Sequence, residues 1–510
     1  MMAAPVHHHE RYLSELLQGV VAIPACEDVV VSGVQIDSRI VRRGDLFLAC
    51  RGGRTHGVDY ISEALRQGTV AIVYDPEGAN GVHPLGVPAI AVAQLSDKVG
   101  LIADRFHGHP SAALQVIGIT GTNGKTSCCH YLAQALNHKD AACGVIGTLG
   151  NGLFGALDPG VHTTPDALTV HATLSDLRQK GAHAVVMEVS SHALNQGRVG
   201  GVAFDAAVFT NLSRDHLDYH GDMASYEATK RRLFHWPDLG CAVINADDSA
   251  GRRLLRDLPP VVRAVAYSLN AEANQSLGTT AAGCPIRHLW ATEVTLSSDG
   301  LRMEVDGDWG RAVLGAPLLG RFNASNLLAT LATLLAQEWT LEQAVQRLAG
   351  TRAVAGRMER FSAAGRALLV VDYAHTPDAL EQALLAVREH TQGMLWCVFG
   401  CGGERDQGKR PQMGAIAERL ADRVVITDDN PRGEKGDAIV ADIRAGLSEP
   451  GKALVERDRQ RAVHAAYAAA EACDVVLVAG KGHENYQEVA GRRMPYSDRT
   501  LAAQLTGGGA

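Results

Sequence analysis

The residues whose types and spacing point most directly to chemistry lie in the segment 116–127, VIGITGTNGKTS. An apolar stretch there breaks into a glycine turn and opens a helix, and glycines let backbone N–H groups approach an anion closely. The helix dipole, the ammonium of Lys125 and the hydroxyl of Thr126 would favour phosphates and Mg²⁺. The first glycine stands one position earlier than in the usual G-x-x-x-x-G-K-[ST] spacing. The segment predicts a phosphate-binding loop that contains Gly118, Gly121, Thr122, Asn123, Gly124, Lys125, Thr126 and Ser127.

Further polar residues follow two predicted strands downstream of this loop. The strand Ala184–Met187 ends in Glu188, and the strand Ala206–Thr210 leads into a loop, 211–221, that carries two histidines and two aspartates. Ligands of open α/β sheets bind at the carboxyl ends of strands, so Glu188 is placed to hold Mg²⁺ beside the phosphates. The density of potential ligands in the loop favours a functional site over isolated structural histidines.

A second series of strands and helices lies between about 351 and 510. Its predicted strands are Leu368–Val371, Leu395–Phe399, Val424–Thr427 and Val475–Ala479, and polar clusters begin after them at Asp372, Gly402, Asp428 and Gly480. Helices such as Asp378–Arg388 and Arg461–Ala472 alternate with these strands. Because parallel strands bring their carboxyl ends to one edge, the clusters predict one lip of a ligand cleft.

The preceding residues, 1 to about 110, predict a small α/β module with strands at 29–31 and 46–49 and a helix near 60–66. From about 111 to 350 the pattern indicates a parallel sheet wound with helices. Together these patterns support an ATP-using enzyme, although a motor ATPase or a kinase stays open at this point.

Length and composition predict a soluble α/β protein of about three domains, since 510 residues exceed what one core usually supports. A net charge of −8 argues against nonspecific binding to nucleic acid or membrane surfaces. The apolar stretch 327–336 is too short to span a bilayer, and the N-terminus lacks a secretory signal pattern. We therefore expect a cytoplasmic protein without membrane insertion, whose ten cysteines are mostly buried thiols.

Four stretches give the chain a resemblance to a known family: 121–126 (GTNGKT), 188–192 (EVSSH), 210–220 (TNLSRDHLDYH) and 372–377 (DYAHTP). They resemble the Mur ligase family of peptidoglycan synthesis, which shares the shifted glycine spacing, and the similarity covers nearly the whole chain. The closest resemblance within the family is to members that add the third amino acid, diaminopimelate. It implies an α/β fold of three domains, which are a UDP-binding domain (1–110), a central P-loop ATPase domain (111–350) and a Rossmann-like amino-acid-binding domain (351–510).

The resemblance also implies a reaction. ATP phosphorylates the free γ-carboxylate of D-Glu in UDP-MurNAc-L-Ala-D-Glu, and the amine of meso-diaminopimelate attacks the acyl phosphate to give amide, ADP and phosphate. A carboxylate is a poor electrophile until it is phosphorylated, so the enzyme must neutralise charge and position substrates, without a protein nucleophile. We expect a monomer with no nucleic-acid partner.

By resemblance, Lys125 and Thr126 hold phosphates, Thr126 and Glu188 hold a first Mg²⁺, and His216 binds a second. Lys230 matches a lysine that the family carbamylates with CO₂. An ammonium would be repelled by Mg²⁺, whereas a carbamate is an anionic oxygen ligand suited to hard cations. A solvated helix lysine is the alternative for Lys230. The further residues that the resemblance places near ATP are Asn323, Arg357 and Asp372.

The remaining implied residues contact the other two substrates. Those for UDP-MurNAc-dipeptide are Ile36, Ser38, Gly53, Arg54, Thr55, Thr163, Thr164, Ser190, Gln196 and Arg198. Those for diaminopimelate are Arg405, Asp429, Asn430, Pro431, Arg432, Gly480 and Glu484. The planar fork of Arg432 suits the distal carboxylate that distinguishes diaminopimelate from lysine, whereas a surface arginine after a proline turn is the alternative.

Two rival hypotheses remain. Folylpolyglutamate synthetase shares the ATPase core and the acyl-phosphate chemistry, but that family starts close to its phosphate loop, whereas roughly 110 residues precede the loop here. The second rival hypothesis is a nucleotide-gated scaffold protein that hydrolyses little ATP. The acid, histidine and lysine residues around the phosphate loop disfavour this hypothesis.

Overall fold

The computed structural model describes residues 10–53, 55–79, 86–139, 141–160, 162–270, 278–297 and 299–507. The chain divides into two compact units, the first formed by Met1–Tyr267 with Gln275–Arg287 and the second by Ser268–Asn274 with His288–Ala510. Within the described ranges, no helix is both long and apolar enough to cross a membrane.

The first unit begins with the predicted α/β module. Its four parallel strands are, in spatial order, Gly33–Gln35, Asp45–Ala49, Ala71–Tyr74 and Ala89–Ala91. The strand Asp45–Ala49 is buried throughout because the helices Ile61–Gln67 and Val99–Phe106 pack against its opposite faces. The module also contains the strand pair Arg11–Tyr12 and Val30–Val31, the helix Leu13–Leu16, and the 3₁₀ helices Ser38–Ile40, Gly57–Tyr60, Leu95–Asp97 and Pro110–Ala113.

A central sheet forms the rest of the first unit. Its six parallel strands are, in spatial order, Ala142–Gly147, Ala182–Glu188, Gln115–Thr120, Ala206–Phe209, Cys241–Asn245 and Arg263–Ser268. Apolar residues fill these strands because helices cover them. The helices are Lys125–Leu136, Ala167–Gln179, Ser191–Asn195, Leu217–His220, Met223–Arg231 and Ser249–Arg256, with the 3₁₀ helix Arg232–His235.

The prediction of a parallel sheet between 111 and 350 is incomplete. The strands Gly150–Leu153 and Ala156–Asp158 add an antiparallel hairpin to the central sheet. A second antiparallel ladder joins Ile286–Ser297, Gly300–Gly307 and Ala312–Ala316. Two-residue and slightly longer turns connect these strands, and such turns allow only antiparallel pairing. The ladder is followed in the second unit by the helices Arg321–Ala336, which is almost wholly buried, and Leu341–Leu348.

The C-terminal sheet of the second unit is Rossmann-like. Its strands are, in spatial order, Glu359–Phe361, Leu368–Asp372, Val475–Ala479, Leu395–Phe399, Arg423–Ile426 and Leu454–Val455, and all but the first are parallel. The helices are Pro377–Arg388, Lys409–Leu420, Gly436–Arg444, Arg459–Ala469 and Asp498–Leu505. A hairpin of Tyr486–Val489 and Arg492–Pro495 follows the last parallel strand. The four predicted polar clusters therefore follow parallel strands and lie at one edge.

His390 links three segments of the second unit and gives it a pH-dependent stability. Its Nδ1 lies 2.6 Å from the carbonyl oxygen of Ser297, and its Nε2 accepts the backbone N–H of Gly320 at 2.8 Å. These contacts require a neutral ring with the proton on Nδ1, because a protonated Nε2 could not accept a hydrogen bond. Burial lowers the pKa of His390 below its usual value.

We expect the contribution of His390 to stability to be present above about pH 6.5 and to decline below it, since only the unfolded chain then takes up the proton. The free energy of unfolding should fall by up to about 1.4 kcal/mol per pH unit from this residue. Urea unfolding of wild type and His390→Gln between pH 5.5 and 7.5 measures the effect. A difference between the two proteins that does not change with pH would contradict the prediction.

Candidate active site

The phosphate loop has the backbone geometry of an anion cradle. It connects the strand Gln115–Thr120 to the helix that begins at Lys125, as predicted. Gly121 and Gly124 have φ of 150° and 85°. A Cβ at Gly121 would collide with the side chain of Thr210, so this position requires glycine. Gly118 is different, because it lies inside the strand, where a Cβ would press on Phe204. The expectation that Gly118 belongs to the cradle is wrong, since it is a packing residue.

Residues after the neighbouring strand Ala206–Phe209 hold the loop in place. Asn211 accepts the backbone N–H of Asn123 at 2.9 Å through Oδ1 and donates to the Asn123 carbonyl at 3.1 Å through Nδ2. Thr210 Oγ1 donates to that same carbonyl at 2.5 Å. The hydroxyl of Thr122 donates to the carbonyl of Ser213 at 3.2 Å. The loop is therefore fixed by residues about 90 positions away in sequence.

Two lysine side chains meet at one backbone carbonyl of the loop. Lys125 Nζ donates to the carbonyls of Gly121 and Thr122, both at 2.9 Å, and Lys230 Nζ donates to the Gly121 carbonyl at 2.8 Å. Lys230 is buried, with Nζ 4.6 Å from the centre of the Tyr226 ring. Burial, and secondarily the charge of Lys125, lowers the pKa of Lys230 well below its usual value. The alternative of a solvated helix lysine is wrong for Lys230.

Glu188 lies at the carboxyl end of the strand beside the loop, as predicted. Its Oε2 accepts the hydroxyl of Thr126 at 2.9 Å, and its Oε1 accepts the backbone N–H of Thr148 at 2.8 Å. A Cβ at Gly147 would meet Oε1 at 2.5 Å. Burial raises the pKa of Glu188, while the hydrogen bond from Thr148 opposes that shift. Sequence reasoning missed Thr148, whose position after a strand end was its only signal.

His216 joins the same region through aromatic neighbours. Its ring centre lies 4.9 Å from that of His192 and 6.2 Å from that of Tyr226. The hydroxyl of Tyr226 lies 3.3 Å from Thr122 Oγ1 in the loop. His216 Nε2 is also 3.4 Å from a carboxylate oxygen of Asp215. Tyr226 thus lies beside His216, beside Thr122 of the phosphate loop and beside Lys230, so the predicted histidine and Lys230 are on the same side of that loop.

The five residues predicted for the muramoyl peptide are linked to Glu188 by a series of hydrogen bonds. Thr163 accepts the hydroxyl of Thr148 at 3.1 Å. Thr164 Oγ1 donates to the Glu188 carbonyl at 2.8 Å and lies 3.3 Å from Ser190 Oγ. The guanidinium of Arg198 donates to the Thr164 carbonyl at 2.8 Å and to Gln196 Oε1 at 2.7 Å. The five predicted residues Thr163, Thr164, Ser190, Gln196 and Arg198 form one connected polar group.

The residues predicted for the uridine side lie in the N-terminal module. Ile36 is exposed, whereas Ser38 is buried and donates its hydroxyl to Glu63. Gly53 and Thr55 are exposed in the turn that follows the strand Asp45–Ala49. Arg54, predicted for the same turn, lies outside the described residues. The roles of these residues stay predictions.

The three further ATP residues lie in the second unit. Asp372 accepts the backbone N–H groups of Met358 at 2.7 Å and Ala374 at 2.8 Å, and burial raises its pKa. The guanidinium carbon of Arg357 lies 4.9 Å from the centre of the Tyr373 ring. Asn323 is buried in the helix Arg321–Ala336. Arg357 and Asp372 therefore lie near each other. Asp372 accepts from Met358, the residue after Arg357, and Arg357 lies over the ring of Tyr373, the residue after Asp372.

Four of the residues predicted for diaminopimelate, Asp429, Asn430, Gly480 and Glu484, meet at the edge of the C-terminal sheet. Asn430 Nδ2 donates to Glu484 Oε2 at 3.0 Å. Gly480 has φ of 119°, and a Cβ there would lie 3.2 Å from Asp429 Oδ2. Sequence reasoning missed Lys481, which contacts Asp429, Asn430 and Glu484. Its place in the glycine-rich segment 480–484 was the available signal.

Arg432 follows these residues and is held by its surroundings. Its φ is 50°, its Nη1 donates to the Gly403 carbonyl at 2.7 Å, and its Nε lies 3.6 Å from Glu488 Oε2. Its backbone N–H also donates to the carbonyl of Glu488 at 3.0 Å. Pro431 is buried and Arg405 is exposed in the neighbouring loop. Arg432 is thus a restrained side chain and not a free surface arginine.

Mg²⁺ fits the donors beside the phosphate loop. Among the described residues there is no group of three or more His, Cys, Asp or Glu that could hold a metal ion by themselves. The hydroxyl of Thr126 and the buried carboxylate of Glu188 are hard oxygen donors, and Mg²⁺ commonly binds one or two carboxylates together with phosphates of a substrate. The residues that would hold it are Thr126 and Glu188.

The fold and site together define a P-loop nucleotide-binding protein of the α/β class, with a Rossmann-like sheet in its second unit. Family models match three segments, described as the Mur ligase family catalytic domain at 30–107, the Mur ligase middle domain at 119–334 and the Mur ligase glutamate ligase domain at 356–482.

Near-full-length relatives agree with these matches. A UDP-N-acetylmuramoyl-L-alanyl-D-glutamate--2,6-diaminopimelate ligase of Xanthomonas oryzae pv. oryzae is 50% identical over 493 residues, which cover 96% of each chain. A protein of the same name from Pseudomonas aeruginosa is 49% identical over 481 residues, covering 93% of this chain and 96% of that one. A solved structure with that name superposes with a TM-score of 0.73 at 34% identity, covering 94% of this chain and 95% of the other. The chain belongs to the Mur ligase family.

Proposed function

We propose that this chain is an ATP-dependent ligase that adds meso-diaminopimelate to the D-Glu of UDP-MurNAc-L-Ala-D-Glu in peptidoglycan precursor synthesis. The observation that carries the proposal is the 50% identity, over 96% of both chains, to a ligase whose name states these substrates. The contacts among the phosphate loop, Lys125 and Glu188 support the phosphate chemistry that such a reaction needs.

In the proposed reaction the protein acts by charge and position. The γ-carboxylate oxygen of D-Glu attacks the terminal phosphorus of ATP, ADP leaves, and the acyl phosphate is then attacked by the amine with loss of a proton and phosphate. We assign to Lys125 the role of offsetting charge on the transferred phosphoryl group, and its contact with the phosphate loop supports this assignment. Mg²⁺, when bound, supplies further positive charge against the phosphates. No side chain has to act as a nucleophile.

We further propose the substrate contacts and the domain limits expected from the sequence. The connected group around Thr164 and Arg198 supports the muramoyl-peptide assignment, and the cluster of Asp429, Asn430 and Glu484 supports the diaminopimelate assignment. The three matched family segments support domains at 1–110, 111–350 and 351–510. A cytoplasmic location and a monomeric state stay predictions from the sequence.

An assay of ADP release tests the proposed function. We expect release to require both UDP-MurNAc-L-Ala-D-Glu and diaminopimelate, and the amide product to form in equal amount to ADP. A folylpolyglutamate synthetase would instead respond to a folate and glutamate, and a scaffold protein would release little ADP under any condition. Either of those results would overturn the proposal.

The carbamate on Lys230 is a separate part of the proposal. The reaction joins the uncharged amine to CO₂ with release of a proton, and the product carboxylate would serve as an oxygen ligand for Mg²⁺. The buried position of Nζ beside the loop carbonyl of Gly121 supports this assignment. A lysine exposed to water would be a poor candidate for carbamylation, because bulk water keeps its amine charged.

We expect ¹³C-labelled CO₂ to give a carbamate NMR signal in the wild-type enzyme. The signal should disappear in Lys230→Ala and persist in Lys180→Ala, a variant of an exposed helix-terminal lysine. Thermal unfolding of both variants checks that they are folded. An active wild-type enzyme without the signal would remove this part of the proposal and leave the ligase assignment intact.

A further inference from the structure

Lys481 is a fully buried cation in the C-terminal sheet region, at the carboxyl end of the strand Val475–Ala479. Its Nζ donates to Glu484 Oε2 at 2.9 Å, to Asn430 Oδ1 at 3.0 Å and to Asp429 Oδ1 at 3.4 Å. An ammonium has three N–H donors, so these three acceptors use all of them. Lys481 therefore has no donor left for a substrate.

The three acceptors are also fixed relative to one another. Asn430 Oδ1 accepts the backbone N–H of Glu488 at 2.9 Å, while Asn430 Nδ2 donates to Glu484 Oε2 at 3.0 Å. This pattern determines which side of the Asn430 amide carries the oxygen. Lys481 thus aligns one amide and two carboxylates that would otherwise repel each other at close range.

Charge counting gives this arrangement a specific consequence. Asp429 and Glu484 contribute two negative charges and Lys481 contributes one positive charge, which leaves a net charge of −1. The nearby guanidinium of Arg459 does not alter the count, because it forms a buried ion pair with Asp498 at 2.7 Å. A site of charge −1 in a desolvated edge matches one additional ammonium group.

We infer that Lys481 is a positioning residue that sets the charge and shape of the pocket for the distal ammonium of the diamino acid. The inference rests on the proposed function, which supplies that ammonium. Lys481 acts through Asp429, Asn430 and Glu484 and does not touch the substrate. It therefore determines affinity for the diamino acid and leaves the phosphate chemistry in the first unit unchanged.

The first test compares single variants. Lys481→Met should raise the KM for diaminopimelate at least tenfold, while the KM values for ATP and UDP-MurNAc-L-Ala-D-Glu change less than about twofold. The matched control is Lys452→Met, since Lys452 also pairs with a glutamate three residues away but is exposed. Equal KM values for diaminopimelate in the two variants would overturn the inference.

The second test uses charge balance, and its double variant removes one of the two carboxylates that Lys481→Met alone leaves without a cation. Glu484→Gln leaves a net charge of 0 and should raise the KM for diaminopimelate. Adding Lys481→Met to Glu484→Gln restores −1 and should lower that KM again, whereas a purely structural lysine would make the double variant worse. A further increase in KM would overturn the inference. A wild-type enzyme that ignores diaminopimelate would instead overturn the proposed function.

Discussion

Replacing Lys125 with alanine should reduce the rate of ligation by roughly 10³-fold or more, because a positive charge at the transferred phosphoryl group is lost. The fold should persist. Lys125 is only half-buried, and its ammonium bonds to the carbonyls of Gly121 and Thr122 within the same loop. The loop itself is still held by Asn211 and Thr210.

Chromatography of the amide product over time measures the rate of ligation, and thermal unfolding shows whether the variant is folded. Lys180→Ala is the matched control, because Lys180 is an exposed lysine in the same unit that pairs with Asp176. A folded Lys125→Ala enzyme that ligates at a near-normal rate would show that the phosphate loop is misassigned. If Lys125→Ala were largely unfolded at the assay temperature, the lost activity would show that Lys125 acts mainly on the fold.

Replacing Arg432 with alanine should raise the KM for diaminopimelate far more than the KM for ATP. Diaminopimelate differs from lysine by a carboxylate on its distal carbon, and a guanidinium can bind that group through two parallel N–H···O bonds. Arg432 is already restrained by the carbonyl of Gly403 and by Glu488. Less side-chain entropy is therefore lost when it binds an anion.

The same argument predicts that the wild-type enzyme scarcely uses L-lysine. Lysine offers Arg432 no carboxylate, and loss of a charge-assisted pair in a desolvated site costs on the order of 2–5 kcal/mol. Steady-state kinetics with both amino acids measures the discrimination, and Arg444→Ala, a change at an exposed arginine that ends the helix Gly436–Arg444 of the same unit, is the control. Comparable kcat/KM for the two amino acids would show that the Arg432 assignment is wrong, although the ligase assignment could stand.

Local patterns were sufficient for the elements that carry the site. The predicted helix start at Lys125 and the strands Leu395–Phe399 and Val475–Ala479 agree with the structure. Glycine turns, helix starts and buried strands depend on residues that are neighbours in sequence, so their signals are readable there. The positions of Glu188 and of the four C-terminal clusters followed from the rule that parallel strands end at one edge.

Family motifs determined more of the candidate site than spacing did. Lys230 stands in no local pattern that separates it from a solvated helix lysine, and its assignment came from the resemblance alone. The structure then showed that its Nζ contacts the carbonyl of Gly121, 109 residues earlier. That contact depends on packing of the helix Met223–Arg231 against the central sheet region, which no short segment encodes.

Only the tertiary structure separated residues that look alike in the sequence. Gly118 and Gly121 both precede the lysine of the loop, yet one packs under Phe204 and the other allows the turn. Lys481 is one of nine lysines in the sequence. It is buried against Asp429 because the strands Val475–Ala479 and Arg423–Ile426, on either side of Leu395–Phe399, end at the same edge of the sheet, and Glu484 of its own loop pairs with it as well. Sequence determined which residue types were available at each strand end. The pairing of the strands decided which of them meet, because hydrogen bonds and ion pairs act over a few ångströms in space regardless of separation along the chain.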